Sequence, residues 1–320
     1  MRKKLVSFLL ALLMVFTVFP TSTMAKTNYK TKMITTLTNL RKHIKTKNKN
    51  FKMITNGGFG LYCPDINESA ASRKKFFNAV DGVLIEDIWY GWDCKLNKGT
   101  PKGERKDMLN AMKAAKKAGK PRFNIEYCNG SKASTALKNS SANGLVCYPA
   151  PDVDLRSCPG LAANRTNANN ITSLGQVKNF MILLDPARYQ KAGKAAYLNA
   201  LKNTNYDMIF IDLYFNGKAL TKADVNSLKY KKNGKRRLVC SYISVGEAEN
   251  YRYYWKKTWN KKKNRPSWIV KQNPHWKGNY VVKFWDKNWT KILNGYTDRV
   301  IAAGFDGAYM DVIEAFEHFE

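Results

Sequence analysis

The sequence predicts a single (β/α)8 barrel, and three observations support this fold class. Eight short apolar segments recur along the chain, and most end at or near an acidic or amide side chain. Such segments, rich in aliphatic residues without clean alternation, are typical of parallel strands buried on both faces. Helical patterns follow most of them, as expected for βα units. The 295 residues that follow a predicted leader are enough for one barrel-sized domain.

The acids at the ends of these strands predict where the chemistry lies. The predicted strands span residues 51–56, 82–86, 122–126, 180–185, 208–212, 238–243, 280–286 and 307–311. In a (β/α)8 barrel the carboxyl ends of the strands carry the active site. An aspartate after a strand also commonly begins a turn or caps the next helix. The recurrence, rather than any single acid, therefore predicts a functional rim.

The segments between the strands support one domain. Met33, Leu37, Leu40 and Ile44 lie at helical spacing and predict an amphipathic helix before the first strand. Further helical patterns span residues 69–78, 104–118, 189–203, 222–229 and 289–303. Residues 161–178 are rich in Asn, Thr and Ala and predict a linker or surface loop. Three predicted strands precede this linker and five follow it, so a single domain over residues 26–320 is favoured over two.

The first 25 residues are predicted to be a secretory signal peptide. A basic start at residues 2–4 precedes an apolar run over residues 5–19, and Ala25 closes a small-residue cleavage site. The apolar run is shorter than the roughly 20 residues of a membrane span. No other segment is apolar and long enough, so the mature chain is expected to be secreted, extracellular or wall-associated, without a transmembrane segment.

The charge balance suggests an anionic environment. The formal net charge is +31, and three of these charges lie in the predicted leader, which leaves +28 on the mature chain. An excess of this size favours polyanions, and anionic cell-wall polymers are one such class of partner. Specific nucleic-acid binding is not predicted, because no recognition helix, zinc knuckle or aromatic platform accompanies the lysines.

Cysteine and histidine usage predicts no metal site and no cofactor. The chain has six cysteines, an even number that permits disulfides in an exported protein. Cys147 and Cys158 flank a proline-containing loop and are the predicted disulfide, whereas Cys240 lies in an apolar run and is predicted to be a buried thiol. There is no Cys-x-x-Cys pair and there are only three histidines, which argues against zinc.

Three clusters combine strand-end acids with aromatic residues: residues 82–92, 241–255 and 304–317. Aromatic rings stack on the apolar faces of sugars while carboxylates bind hydroxyl groups, so the clusters indicate a sugar cleft. A capped helix with an aromatic core face and a structural Glu–Arg pair would give the same composition at residues 241–255, and the residues alone leave both interpretations open.

The same clusters resemble glycoside hydrolase family 114. The resemblance is carried by Gly304-Phe-Asp-Gly-Ala-Tyr-Met-Asp-Val-Ile-Glu-Ala-Phe-Glu317, by Tyr242-Ile-Ser-Val-Gly-Glu-Ala-Glu249 with Arg252, by Val282-Lys-Phe-Trp-Asp286 and by Ile85-Glu-Asp-Ile-Trp-Tyr90. It implies a (β/α)8 barrel and a secreted endo-α-1,4-polygalactosaminidase that cleaves α-1,4-linked galactosamine polysaccharide. A non-catalytic carbohydrate-binding barrel and a polyanion-binding surface protein remain alternatives.

The resemblance also implies site residues. It places the catalytic pair on Asp311 and Glu86, and we assign Glu86 as general acid/base and Asp311 as nucleophile or electrostatic partner, with Asp212 and Glu247 as the second choice of pair. Two carboxyl groups are what glycoside cleavage requires. The residues expected to bind substrate are Asp212, Tyr242, Glu247, Arg252, Tyr90, Trp285 and Asp286.

The order of the motifs departs from the family. In the family the segment that resembles residues 179–320 comes first, and the segments that resemble Asn56-Gly57, Glu86-Asp87 and Glu126-Tyr127 follow it. A circular permutation joined through residues 161–178 explains this order, because barrel termini lie close together.

The substrate that the resemblance implies conflicts with the net charge of the protein. A galactosamine polymer is cationic, so a strongly basic protein needs an acidic cleft to bind it.

Overall fold

The computed structural model describes residues 28–156, 158 and 164–320. The predicted signal peptide and the first three residues of the predicted linker lie outside the described residues. Seven α-helices occur in the described part: α1 (Tyr29–Lys47), α2 (Ala70–Ala79), α3 (Lys102–Lys117), α4 (Gly130–Ala142), α5 (Gly193–Lys202), α6 (Lys222–Ser227) and α7 (Lys287–Ala302). The thirteen described strands are β1 (Lys52–Asn56), β2 (Gly82–Glu86), β3 (Arg122–Tyr127), β4 (Val146–Ala150), β5 (Phe180–Leu183), β6 (Met208–Ile211), β7 (Tyr214–Phe215), β8 (Lys218–Ala219), β9 (Leu238–Ser244), β10 (Glu247–Glu249), β11 (Ile269–Gln272), β12 (Asn279–Val282) and β13 (Gly307–Asp311).

Eight of these strands form one parallel sheet that is rolled into a nearly closed barrel, which confirms the predicted fold class. The strand order is β4-β3-β2-β1-β13-β9-β6-β5. Strand β1 lies between β2 and β13, with Thr55 opposite both Val83 and Met310. The two edge strands, β4 and β5, meet at a seam where Tyr148 packs against Phe180 with ring centroids 5.8 Å apart.

The barrel core contains a row of aromatic rings. Phe123 packs against Phe180 at 5.6 Å between centroids, and Phe180 packs against Phe210 at 5.7 Å. Phe210 then contacts Tyr309 at 5.0 Å, and Tyr309 lies 6.0 Å from Tyr242. All five rings are buried. The row links five strands through one packed core. Parallel strands that are buried on both faces need an interior filled with side chains in this way.

One predicted barrel strand is wrong, and one was missed. The segment at residues 280–286 contributes β12, which pairs antiparallel with β10 and β11 in a three-stranded side sheet. The missing barrel strand is β4, in which Pro149 interrupts the apolar pattern. Proline is tolerated on an edge strand, where one row of backbone groups lacks a ladder partner. The chain therefore places four barrel strands on each side of the linker, not three and five.

The predicted helices form, and one more appears. Helix α1 buries Met33, Leu37, Leu40 and Ile44 as expected, and Asn28 caps it by accepting a hydrogen bond from the Thr31 amide at 2.8 Å. Helix α4 was not predicted. Its described side chains bury only Ala136 and Ser140, so its apolar pattern is too sparse to be recognised.

The linker closes the amino-terminal end of the barrel, as far as it is described. The Ile171 amide donates to the Arg236 carbonyl before β9, and the Leu174 side chain lies against the first residue of β2, Gly82. Ile171, Leu174 and Val177 are buried, while most of the polar residues between them are exposed. The linker is thus a surface segment with apolar anchors at the end opposite the acid-bearing rim.

A buried ion pair fixes the linker to this end. Lys231 Nζ lies 2.9 Å from Asp207 Oδ1, and both side chains are fully buried. The ammonium also donates to the carbonyls of Asn167 and Asn169 at 3.0 Å each. The second Asp207 oxygen accepts from the Asn167 side chain and from the Lys178 amide. Both charged groups are therefore bonded to the linker as well as to each other.

The predicted disulfide is absent. All six cysteines are free thiols. Cys147 packs with Cys128, whereas Cys158 Sγ lies 3.7 Å from the Ala200 carbonyl and 4.0 Å from the Met181 sulfur. The prediction failed because Cys147 belongs to the unpredicted strand β4. Cys240 is buried in β9, as predicted.

No helix in the described ranges is long and apolar enough to cross a membrane.

The Lys231–Asp207 pair leads to a stability prediction. Lys231→Met leaves Asp207 buried with no opposite charge, and breaking a buried pair in this way costs about 3–5 kcal/mol. Urea denaturation should therefore show a fall of this size in the free energy of unfolding. The neighbouring exposed lysine provides the control, since Lys232→Met should change it by less than about 0.5 kcal/mol. Equal effects of the two substitutions would contradict the structural role of the pair.

Candidate active site

A cleft of about 960 Å³ opens at the carboxyl ends of the barrel strands. Four side chains from the strand ends line it: Asn56 from β1, Glu86 from β2, Asp212 after β6 and Asp311 from β13. Parallel strands end at the same rim, so residues distant in sequence meet there. This is the rim at which the strand-end acids were expected.

The floor of the cleft holds the central carboxyl cluster, which consists of Asn56, Glu86 and Asp311. The Asn56 side-chain amide donates to Glu86 Oε1 at 2.6 Å and to Asp311 Oδ1 at 2.8 Å. Both oxygens contact the same nitrogen atom, so the distance between them cannot exceed the sum of these two hydrogen-bond lengths. The arrangement follows from the sheet order, because β1 lies between the strands that carry the two acids.

Three tyrosines complete the cluster. Tyr127 donates its hydroxyl hydrogen to Glu86 Oε2 at 2.8 Å, and Tyr309 donates to Glu86 Oε1 at 3.2 Å. The Tyr242 hydroxyl hydrogen-bonds Asp311. Tyr309 and Tyr242 belong to the aromatic row of the core, so packing fixes their hydroxyl groups. Glu86 thus accepts three hydrogen bonds, which fix the orientation of both of its oxygens.

The backbone turns in the same way after each member of the cluster. The next residues, Gly57, Asp87 and Val312, have φ angles of 66°, 57° and 58°. Left-handed backbone is rare for residues other than glycine and most unusual for a β-branched one. It costs on the order of 1–3 kcal/mol and persists where the surroundings impose it. Strain of this kind at two of three neighbouring strand ends marks the floor of the cleft as a specialised region.

Burial and like charge raise the pKa values of the acids in the floor. Desolvation, followed by the charge of Glu86, raises the pKa of Asp311 to about 7. Desolvation also raises the pKa of Asp87 to about 9, with further contributions from Glu86 and Glu126. The pKa of Glu314 is raised well above its usual value by burial and by Asp311. At neutral pH this floor therefore holds protons that exposed carboxyls would have lost.

Some acceptor atoms in the floor have no partner. Asn56 Oδ1, Asp87 Oδ1 and Glu314 Oε2 are buried and accept no hydrogen bond from the described part of the chain. Buried polar atoms are nearly always satisfied, so unsatisfied ones call for an explanation. The Asn56 oxygen can accept a hydrogen bond, and the protonated carboxyls of Asp87 and Glu314 can accept or donate one. A ligand that brings hydroxyl groups, which both donate and accept, would satisfy them.

A second charged cluster lies on the wall of the cleft. Arg252 donates to both Asp212 oxygens, at 2.8 and 2.7 Å, and its Nε donates to Glu249 Oε2 at 2.7 Å. The Asp212 carboxylate also accepts from the Tyr214 amide at 2.6 Å. The bidentate geometry fixes both acids in place. The predicted pairing of an arginine with the acids of residues 241–255 is thus present, and it lines the cleft instead of capping a helix.

Glu247 lies on the side sheet, beyond β9. Its two oxygens accept hydrogen bonds from the Asn273 and Asn279 side chains, at 2.8 and 3.2 Å. Burial raises its pKa. Glu247 therefore lines the cleft on strand β10, away from the central carboxyl cluster.

Three predicted cleft residues lie elsewhere. Trp285 packs between Tyr29 and Phe319, with centroids 5.1 and 4.8 Å away. Asp286 caps helix α7 by accepting from the Asn288 amide at 2.8 Å. Tyr90 does not line the cleft, and its amide donates to Glu126. Trp285 and Asp286 lie away from this cleft because the segment that carries them leaves the side sheet and starts a helix.

Glu126, which ends a predicted strand, supports the cleft from below. Its carboxylate accepts hydrogen bonds from the backbone amides of Ile88, Trp89 and Tyr90, at 3.1, 2.8 and 2.7 Å. The side chain is fully buried, and desolvation raises its pKa to about 7. Glu126 thus fixes the loop after Glu86 rather than facing the cleft.

Several cleft residues were not recognised from the sequence. Tyr309 lies two positions before Asp311 on the same strand, and successive side chains of a strand alternate between faces. The two-residue spacing therefore puts Tyr309 on the same face of the strand as Asp311, and it could have been predicted from the sequence. Tyr127 and Glu249 are the last residues of β3 and β10, and Trp276 lies in the loop after β11. They had no comparable signal, since their place in the cleft depends on how these elements pack in the folded chain.

The cleft is acidic although the protein is basic. Among the described residues, the carboxylates that line it are Glu86, Asp87, Asp154, Asp185, Asp212, Glu247, Glu249, Asp311, Glu314 and Glu317. Its lining contains only two residues of the Lys and Arg type, Arg252 and Lys277. No grouping of three or more His, Cys, Asp or Glu side chains within the described ranges is arranged to hold a metal ion.

Comparisons with known proteins agree with this picture. The model of glycoside-hydrolase family GH114 matches residues 161–320. An uncharacterized protein of Methanocaldococcus jannaschii is 37% identical over 157 residues, which is 49% of this chain and 43% of the relative. One of Deinococcus radiodurans is 36% identical over 124 residues, 38% of each chain. One of Thermotoga maritima is 46% identical over 79 residues, 25% of this chain and 24% of the relative.

The matches cover only part of each relative, since the aligned region of this chain spans less than half the length of all three. The family model, however, covers half of this chain and includes Asp212, Glu247, Arg252 and Asp311. The barrel architecture and the paired carboxyls at its rim are consistent with that match. The chain belongs to glycoside-hydrolase family GH114.

Proposed function

We propose that this protein is a glycoside hydrolase that cleaves α-1,4-linked galactosamine polysaccharides within the chain. One observation carries the proposal: a paired carboxyl site lies at the floor of an acidic cleft on a strongly basic protein. Surface charges more than about 10 Å away are largely screened at 0.1 M salt, so the local acids dominate the potential that a bound sugar experiences. The cleft therefore suits a polymer that carries free ammonium groups.

Glu86 and Asp311 are the proposed catalytic pair. A single amide group bonds both of them, which is compatible with the separation of about 5–5.5 Å found in retaining enzymes. Inverting enzymes need about 6.5–9.5 Å to hold a water molecule between the carboxyls. This close spacing supports a retaining mechanism with a covalent glycosyl intermediate.

The electrostatics favour roles opposite to those expected from the sequence. Glu86 accepts hydrogen bonds from Asn56, Tyr127 and Tyr309, which hold both of its oxygens in place for attack on the sugar. Asp311, with a pKa of about 7, holds the proton that the leaving oxygen needs. We therefore assign Glu86 as nucleophile and Asp311 as general acid/base.

The alternative pair is less suitable. Both Asp212 oxygens are held by Arg252, and Glu247 is hydrogen-bonded to two asparagines on the side sheet. A carboxylate in a bidentate ion pair is a poor nucleophile because its charge is already neutralised. Asp212 and Arg252 are proposed to position substrate, together with Tyr242.

The site of action and the chain order are also proposals. The basic, apolar and small-residue pattern of residues 1–25 supports export, and the high positive charge suits contact with anionic wall polymers.

A circular permutation is supported by two observations. Strand β1 pairs in parallel with β13, and the family match is confined to residues 161–320.

Removal of either catalytic carboxyl should abolish turnover. Glu86→Gln and Asp311→Asn are each expected to lower kcat on a deacetylated galactosamine polymer by at least about 10²-fold, measured as released reducing ends. The exposed acid on helix α3 provides the control, and Glu104→Gln should retain full activity. Undiminished release by the Glu86 and Asp311 variants would overturn the assignment of the pair.

The raised pKa of Asp311 predicts a pH profile. The acid is protonated below its pKa of about 7, so kcat/KM should fall about tenfold per pH unit above that value. The same shift lowers stability: the folded state binds the proton more tightly than the unfolded state, so the free energy of unfolding declines as pH rises from 3.8 to about 7. Asp311→Asn should lack this decline and melt at a higher temperature than the wild type at pH 8. A wild-type profile without a basic limb near pH 7 would contradict the role of Asp311.

Azide rescue distinguishes the two roles. With an activated aryl α-glycoside of a galactosamine oligomer, Glu86→Ala plus azide should yield the β-azide, because azide replaces the nucleophile on its own face. Asp311→Ala plus azide should yield the α-azide, because azide then attacks the covalent intermediate. Proton NMR of the products identifies the anomer. The reverse pattern would restore Asp311 as nucleophile, and inversion by the wild type would exclude the retaining mechanism.

A further inference from the structure

The acidic cleft continues along the three-stranded side sheet, beyond the central carboxyl cluster. Strand β10 follows β9 directly, and its register pairs Glu249 with Asn279 of β12. The loop before β12 therefore lies near the end of β10, away from the barrel strands. This part of the lining has no role in the proposed bond cleavage.

Two aromatic rings at this end are largely exposed. The exposed fraction is 47% for Trp276 and 61% for Tyr251. Both residues line the cleft. Neither is in ring-to-ring contact with another aromatic side chain of the described residues. The Arg252 guanidinium lies over the Tyr251 ring, 5.1 Å from its centroid, so the Trp276 ring and the opposite face of Tyr251 are available to stack on the apolar face of a sugar.

The loops that carry the two rings are packed against each other. The Asn250 amide donates to the Gly278 carbonyl at 2.8 Å. A Cβ atom on Gly278 would lie 2.8 Å from Asn250 Oδ1, and its φ angle of 99° also disfavours other residues. Asn273 Oδ1 accepts from the amides of His275 and Trp276, at 2.9 and 3.3 Å. The Trp276 loop is thus held in place by defined contacts on both sides.

Carboxylates accompany the rings. Tyr251 donates its hydroxyl hydrogen to Glu249, and Glu247 accepts from Asn273 and Asn279. Glu249 shares the Arg252 guanidinium with Asp212, so these three groups keep one net negative charge, and Glu247 is bonded to two asparagine amides. The acids at this end of the cleft therefore match a sugar that combines an apolar face with a positive charge.

We propose that Trp276 and Tyr251, with Glu247 and Glu249, form a distal subsite that binds an amino-sugar unit of the polymer away from the bond being cleaved. This inference rests on the proposed function. It adds a location for the part of the substrate chain that lies beyond the cleaved bond. The subsite explains how the enzyme would hold an internal segment of a long polymer rather than only its end. A short substrate that occupies only the floor of the cleft would not reach it.

The test measures polymer binding separately from catalysis. In the inactive Glu86→Gln background, Trp276→Ala and Tyr251→Ala are each expected to weaken binding of a deacetylated α-1,4-galactosamine polymer about tenfold in affinity electrophoresis, as truncation of an aromatic anchor does. In the active enzyme the same substitutions should raise KM for the polymer about as much. They should leave kcat/KM for an aryl monosaccharide glycoside unchanged.

Tyr230 offers a matched control, because its ring is 57% exposed and it does not line the cleft. Tyr230→Ala should alter neither binding nor KM. A fully N-acetylated polymer tests the role of charge, since it keeps the sugar rings but loses the ammonium groups. It should bind more weakly than the deacetylated polymer, and equal binding would overturn the contribution of the two acids.

The outcomes separate this inference from the proposed function. Cleavage of the polymer with no effect of Trp276→Ala and Tyr251→Ala would overturn the subsite and leave the hydrolase intact. Binding that depends on Trp276, without cleavage by the wild type, would support the subsite and overturn the hydrolase. An equal loss of kcat/KM on the aryl monosaccharide would place the effect at the central carboxyl cluster and overturn a distal role. Failure of the inactive variant to bind the polymer would also overturn the subsite.

Discussion

The site depends on one amide group that hydrogen-bonds two carboxyls at once. Asn56 donates to both Glu86 and Asp311, and without it two like charges would face each other in a poorly hydrated floor. The contact is possible because β1 lies between β2 and β13, so that its last side chain faces both acids. Repulsion between close carboxyls raises the proton affinity of one of them. The pair therefore holds a proton at neutral pH, which is the state that acid-assisted glycoside cleavage requires.

The packed core and the chemistry are parts of the same arrangement. Tyr309 stacks within the aromatic row and donates its hydroxyl hydrogen to Glu86, while Tyr242 does the same for Asp311. Their rings have little freedom because the barrel interior is filled. Val312, whose backbone is left-handed, is partly buried against the same core. Rigid support of this kind is what keeps catalytic groups in a productive geometry.

The distribution of charge makes a basic protein compatible with the cationic substrate that we propose. Lysines are spread over the outer surface, whereas the cleft gathers many of the 24 acidic residues of the chain. Screening limits the reach of the surface charges, so the potential inside the cleft is set by the acids that line it. A basic exterior and an acidic interior can thus serve an anionic envelope and an amino-sugar polymer in one molecule.

The sequence by itself determined the fold class and the acid-bearing rim, because strand periodicity and strand-end acids are local properties. The choice of Glu86 and Asp311 among those acids came from the resemblance of their motifs to the family. It could not reveal β4, where Pro149 hides an edge strand, or that residues 280–286 pair antiparallel with β10. Only the tertiary structure decided which side chains meet. The bridge through Asn56 and the outward place of Trp285 arise from strand order and turn direction, which depend on contacts between residues far apart in the chain.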